Sequence, residues 1–293
     1  MVNMVLHTKE FTMKTKAKNY LLALVLLIAL LFANLFPLTC VRANAQTYSD
    51  DGFALYASNV TTEKITFTNR ETEYTETKNG VPLYYLSGDL PNGCGAAAGA
   101  IVLGFHDKYH EDLIPNFTSY FPATGKYKLN DKTYIPALMR ELFTLMRTNV
   151  DDVGVSEEDC LDGLSSYIHG KNHSVAYNTI ASSSKFSASR YLGEINANRP
   201  VLLFSKAMEI YSFSVTNDYE LLIKNHISTN HVYVGYGYYT IRYYNGSSNF
   251  RTDTYLRVAT GWSDMDYAFI PVSSTASNVT NSWFENGYGV SIT

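Results

Sequence analysis

Apolar and polar residues follow several distinct rhythms along this chain, and each rhythm predicts an element. An unbroken apolar run, Leu21 to Ala33, comes first. Thirteen such residues rise only about 20 Å as a helix, short of a bilayer core of roughly 30 Å. From Gln46 to about Leu83 the composition turns to Thr, Tyr, Ser and Glu. There, Lys64-Ile-Thr-Phe-Thr and Thr72-Glu-Tyr-Thr-Glu-Thr alternate with the period of half-buried strands. Asn79-Gly80 predicts a tight turn, with a further strand at Val81-Pro-Leu-Tyr-Tyr. Residues 46–82 therefore read as an N-terminal β appendage or a pro-segment, ahead of a main domain spanning 83–293.

Ser87 to Gly93 is a loop by composition. It opens onto Cys94–Phe105, which is small and apolar nearly all round and predicts a buried helix. Helical patterns follow at Ile135–Thr148 and Glu157–His169, the second opened by Ser156 and Asp159 in a capping-box-like start. The last third turns strand-like at Pro200–Ser205, His231–Tyr239, Thr254–Thr260 and Tyr267–Val272. Helices first and strands afterwards predict an α+β domain with segregated layers. No internal repeat interrupts it.

Charge and small residues give the apolar run its meaning. Lys9, Lys14, Lys16 and Lys18 precede it, and Ala43-Asn44-Ala45 follows. Basic flank, short apolar run and small-x-small site are the grammar of an export signal, expected over 1–45 with cleavage after Ala45. Extension of the run to Leu38 would just span a membrane, so contact with the bilayer is expected only through this segment if it stays uncleaved. Cleavage leaves about 248 residues, enough for one large core. Those residues carry 18 Lys and Arg against 26 Asp and Glu, a formal charge of −8. With no basic block, nucleic acid is excluded as an expected partner. No His/Cys cluster has zinc-like spacing and no Gly-rich phosphate loop is present, so no cofactor or metal is indicated. The 24 tyrosines read as strand formers.

Cys94 and Cys160 remain beyond the signal. Two cysteines in a domain this large do not make a disulfide scaffold, though they could pair with each other. Cys94 stands where a Gly/Asn/Pro loop becomes a helix, and backbone N–H groups and the macrodipole stabilise an anion there. Such a setting, with a nearby imidazolium, lowers thiol pKa values. Gly93 and Gly95 leave the sulfur sterically open. Cys160 follows Glu157, Glu158 and Asp159, a start that disfavours a thiolate. Of seven histidines, His7 leaves with the signal, while His106, His110, His169 and His173 read as surface residues. His231 begins the strand Val-Tyr-Val-Gly-Tyr-Gly, 137 residues after Cys94. A papain-type nucleophile has its histidine about 130–150 residues downstream. His226 lies just before it, across the polar link Ile227–Asn230.

Four segments resemble the C39-like branch of bacterial papain-fold cysteine peptidases. Asn92-Gly-Cys-Gly-Ala-Ala-Ala-Gly-Ala is similar to its nucleophile helix, and Glu194–Phe204 to the segment leading a strand into the active-site half. His231-Val-Tyr-Val-Gly-Tyr-Gly resembles the histidine strand, and Val258-Ala-Thr-Gly-Trp262 the strand that delivers a third catalytic residue beside a tryptophan. The likeness covers roughly Val81 to Val272. It implies a papain-like fold, with a helical lobe bearing the nucleophile helix, an antiparallel β-sheet lobe bearing His231, and a groove for an extended peptide between them. It further implies that His231 takes the proton of Cys94 and that the thiolate attacks a carbonyl. The family places a Gln about six residues before the cysteine, where this chain has Gly88, so Asn92 becomes the candidate oxyanion donor. Where the family has Asn or Asp before the tryptophan, this chain has Thr260 and Ala259. Thr260, through its hydroxyl, and Asp264, reaching round from beyond, are the candidates for the third role, with Trp262 as a shield. The expected activity is hydrolysis of peptides or proteins. A non-catalytic peptide-binding protein of the same fold and a hydrolase of cell-wall peptides are the alternatives.

Overall fold

A computed structural model describes residues 57–86, 89–150, 154–272 and 283–293. The expected export signal, the start of the expected appendage and Gly88 lie outside the described residues. Among those described, four helices and a large antiparallel sheet give an α+β architecture. The strands are β1 (Ala57–Thr66), β2 (Asn69–Glu76), β3 (Tyr120–Phe121), β4 (Lys126–Tyr127), β5 (Val175–Ser182), β6 (Lys185–Phe186), β7 (Val201–Ser205), β8 (Met208–Val215), β9 (Tyr219–Ile227), β10 (His231–Asn245), β11 (Ser248–Ala259), β12 (Tyr267–Pro271) and β13 (Phe284–Ile292). The helices are α1 (Cys94–Asp107), α2 (Tyr134–Leu145), α3 (Glu157–Gly170) and α4 (Ala188–Asn196).

The main sheet runs β1-β9-β8-β12-β11-β10-β7-β13-β5-β6, with β2 joined to β10. Long β10 serves two partners on one side. His231–Gly235 pairs with β7, and Gly237–Tyr244 pairs with β2. A break in the β10–β11 register between Gly235 and Gly237 marks the change. Only Phe67 and Thr68 separate β1, at one end of the sheet, from β2. The Phe67 N–H donates to Asp218 O, and that of Thr68 to Tyr244 O. A two-residue link spanning those strands requires the sheet to curl, and Ile65, Phe67, Leu222, Ile241, Tyr243, Tyr255 and Phe269 fill the curl. The two N-terminal strands expected from sequence thus form and are built into the main sheet.

Near the site the sheet is buried on both faces. Along β7 and β10, Leu202, Phe204, Val232 and Val234 enter the core shared with the helices. The alternating Val201, Leu203 and Tyr233 enter a second core with Tyr191, Val258, Trp262 and Phe284. Two-sided burial explains why Val201–Ser205 reads as a continuous apolar run rather than an alternation.

α1 is the central helix, with every residue from Gly95 to Asp107 buried. Its small residues allow close packing, and the same holds on α3. A Cβ at Gly163 would meet the backbone of Met146 at 2.6 Å, so only glycine fits there. Two expectations fail here. Val81–Tyr85 has no strand pairing, because Pro82 lacks a donor and Val81, Tyr84 and Leu86 instead pack into the helical core. His106 is not on the surface. The all-round burial of α1 takes it to 6% exposure, against the carbonyl of Val290 at 3.2 Å.

Candidate active site

α1 begins at Cys94. Its N-cap, Gly93, has no side chain to close the first turn, which contains no acidic residue. The positive end of the helix therefore acts on the half-buried Cys94 thiol without an opposing carboxylate in that turn. No disulfide joins Cys94 to Cys160. Cys160 is fully buried on α3, and burial above all, with the charges of Cys94 and Glu157 adding, pushes its thiol well above the ordinary range. It is an inert packing residue.

His231 opens β10 and is 5% exposed. Its Nε2 lies 2.7 Å from the backbone carbonyl of Thr260. A carbonyl only accepts, so Nε2 carries the proton, and in the neutral ring Nδ1 is the basic atom. Trp262 covers the imidazole with ring centroids 4.2 Å apart at 31°, and Tyr233 meets it edge-on at 4.6 Å. Burial lowers the histidine pKa to about 4, the Thr260 carbonyl opposing that effect. The ring is neutral at pH 7, as a proton acceptor requires.

The 260–266 turn explains how Thr260 serves. Its hydroxyl donates to Met265 O and accepts from the Trp262 N–H at 3.1 Å, while its own N–H donates to Asp266 O at 3.2 Å. The side chain expected to orient His231 is thus occupied within the turn, and the main-chain oxygen orients the ring instead. Asp264 is exposed on this turn, and the imidazole nitrogen facing this side is bound to Thr260. Gly261 has φ +76°, and its Cα packs close enough to α1 that an added Cβ would lie 3.0 Å from that of Ala97. Its carbonyl also accepts from the Leu86 N–H at 3.1 Å. The histidine's support is thereby tied to α1.

Cys94 and His231 line one cavity of about 520 Å³, together with Asn92, Glu157, Ser205 and Glu285 among others. Asn92 takes a left-handed backbone, φ 59°, and its Nδ2 donates to Asn149 Oδ1 at 2.7 Å. That bond fixes the plane of the amide and uses one of its two N–H groups. Ser205 is held back, its hydroxyl donating to His231 O at 2.9 Å.

Protein-family models, curated proteins and solved structures yield no match to this chain. The assignment of the site rests on its own geometry.

The expected residues divide cleanly. Asn92, Cys94 and His231 line the cavity, Thr260 and Trp262 support the histidine from behind, and Asp264 stands outside. Asn149, Glu157 and Glu285 carry no signal of a site in the sequence. Asn149 lies 57 residues from the amide it holds, and Glu157 reads as an ordinary acidic first turn. Among the described residues, no group of three or more His, Cys, Asp or Glu is disposed to hold a metal ion.

Proposed function

We propose that this chain is an exported thiol peptidase of papain-like fold, with Cys94 as nucleophile and His231 as base. The observation that carries this reading is the placing of a helix-start cysteine and a buried, tautomer-fixed histidine on one cavity. His231 Nδ1 takes the thiol proton, and the sulfur adds to the carbonyl carbon of a peptide bond. The resulting oxyanion accepts from the Cys94 backbone N–H and from the second Nδ2–H of Asn92. Collapse breaks the C–N bond, and the departing amine receives the proton from His231. A water molecule, deprotonated by the same nitrogen, then hydrolyses the thioester and restores the thiol. The Thr260 carbonyl takes the place of the usual Asn or Asp as orienting group. It sets the tautomer, but brings no negative charge to stabilise an imidazolium.

That lack of charge supports a second reading, a peptide-binding protein of the same fold without turnover. One experiment separates the two. Full-length chain is incubated with an unstructured protein and with purified peptidoglycan, and newly released amino groups are counted beside Cys94→Ala. Cleavage of protein that disappears in the variant is the expected result. Release from peptidoglycan alone would assign the enzyme to cell-wall peptides. Equal, background release by both forms would overturn the catalytic reading.

A further inference from the structure

We propose that Glu157 determines specificity in this cleft by holding the cationic side chain of a peptide laid across Cys94. The inference deepens the peptidase reading and rests on it for the position of the peptide. Glu157 lies on the helical wall of the cavity with Cys94. Among the described lining residues the acidic groups are Glu157 and Glu285, and the one side chain able to carry positive charge is His231. Burial keeps that imidazole neutral at pH 7. The two carboxylates differ in their surroundings. Glu285 is paired with Lys206 at 2.9 Å in a setting open to solvent. Glu157 is half-buried, and its two oxygens accept from the amide of Asn286 and the hydroxyl of Tyr288.

Both donors are neutral, so they aim the carboxylate without cancelling its charge. Each carboxylate oxygen has two acceptor positions, which leaves capacity for an ammonium or guanidinium. Nor is Glu157 spent on its own helix. Ser156 provides the N-cap of α3 by accepting from the Asp159 N–H at 3.0 Å, while Glu157 turns across to β13. A fixed, half-desolvated carboxylate beside the nucleophile would favour an Arg or Lys side chain over a neutral one of equal size.

The test is equilibrium binding to the full chain by titration calorimetry, using acetyl-Ala-Arg-Ala-amide and its citrulline isostere. With blocked ends, the two peptides differ only at the tip of one side chain, a charged guanidinium against a neutral urea of nearly the same shape. The arginine peptide is expected to bind about tenfold more tightly, the ratio falling close to one in Glu157→Gln. In the unaltered chain the ratio should also shrink as salt rises from about 0.05 to 0.5 M, which needs no variant. A ratio near one at low salt, or a ratio that survives Glu157→Gln, would overturn the assignment. Cleavage dependent on Cys94 is read separately. Selective binding without cleavage would remove the peptidase and keep the subsite, whereas cleavage indifferent to charge would do the reverse.

Discussion

Two buried histidines invite comparison. His106, near the end of α1, and His231, at the head of β10, are 6% and 5% exposed. Each has its Nε2 on a backbone carbonyl, Val290 O at 3.2 Å and Thr260 O at 2.7 Å. In both, burial is the main cause that lowers the pKa to about 4. By titration alone they are twins. What separates them is the other side of each ring. His231 lines a cavity with a thiol at a helix start, whereas His106 is absent from that cavity's lining and has Phe105 edge-on at 5.1 Å. A perturbed pKa marks burial, and a site needs a reacting partner and room for substrate as well.

The comparison breaks most sharply in the proposed catalysis. His231→Ala should lower kcat/KM by about a thousandfold, the range expected on losing a positioned base. His106→Gln, which keeps a donor for Val290 O, should stay within about threefold of the unaltered protein per folded molecule. Progress curves on an unstructured protein substrate, normalised to folded fraction, decide this. Equal losses in both variants, per folded molecule, would show that the effect is not specific to the ring that lines the cavity, and the role assigned to His231 would fall.

Sequence legibility follows from where information is carried. Cys94, His231 and Trp262 are readable because each belongs to a local pattern: loop to small-residue helix, alternating strand, and Gly-Trp at a strand end. The orienting group is not readable, because it is the main-chain oxygen of Thr260, and any residue type has one. The Asn92–Asn149 bond is equally hidden, since 57 residues and a loop separate its two ends. In the fold, β10, β11 and β12 announce themselves through apolar runs. β8 and β9 do not, because polar and charged residues recur through them and several are used inside the structure. Glu220, wholly buried on β9, pairs with Arg70 of β2, and Lys224 with Glu63 of β1 at 2.8 Å. Charge used as an interior tie looks, in sequence, like charge facing water.

Acid should expose what the two histidines share, with a smaller effect. The ordinary value of 6.5 falls to about 4 in the folded state, so between those values the unfolded chain binds more protons. Each ring thus contributes stability that is present above pH 6.5 and lost as pH falls from there toward 4. The loss is about 3 kcal/mol per histidine. Urea unfolding of His106→Gln at pH 7 and pH 4 should show the difference between the two pH values reduced by about that amount. An unchanged difference would mean that His106 gains a proton without disturbing its contacts. His231 adds a signature that His106 lacks: the acid limb of the proposed activity should lie near pH 4 rather than 6.5.

The smallest effect concerns the wall that Trp262 and Tyr233 build behind His231. Tyr233 is fully buried, edge-on to the imidazole, and its hydroxyl has no hydrogen-bond partner among the described residues. A buried hydroxyl left unbonded costs free energy, so removal without loss of ring packing relieves it. Tyr233→Phe should therefore leave stability unchanged or raise it by up to about 1 kcal/mol, measured by urea unfolding. Activity should not move if the ring acts only by excluding water from the His231–Thr260 bond. A tenfold fall in kcat with stability intact would instead place the phenol in the chemistry, and the contrast between the two histidines would then extend from the cavity side of the ring to the wall behind it.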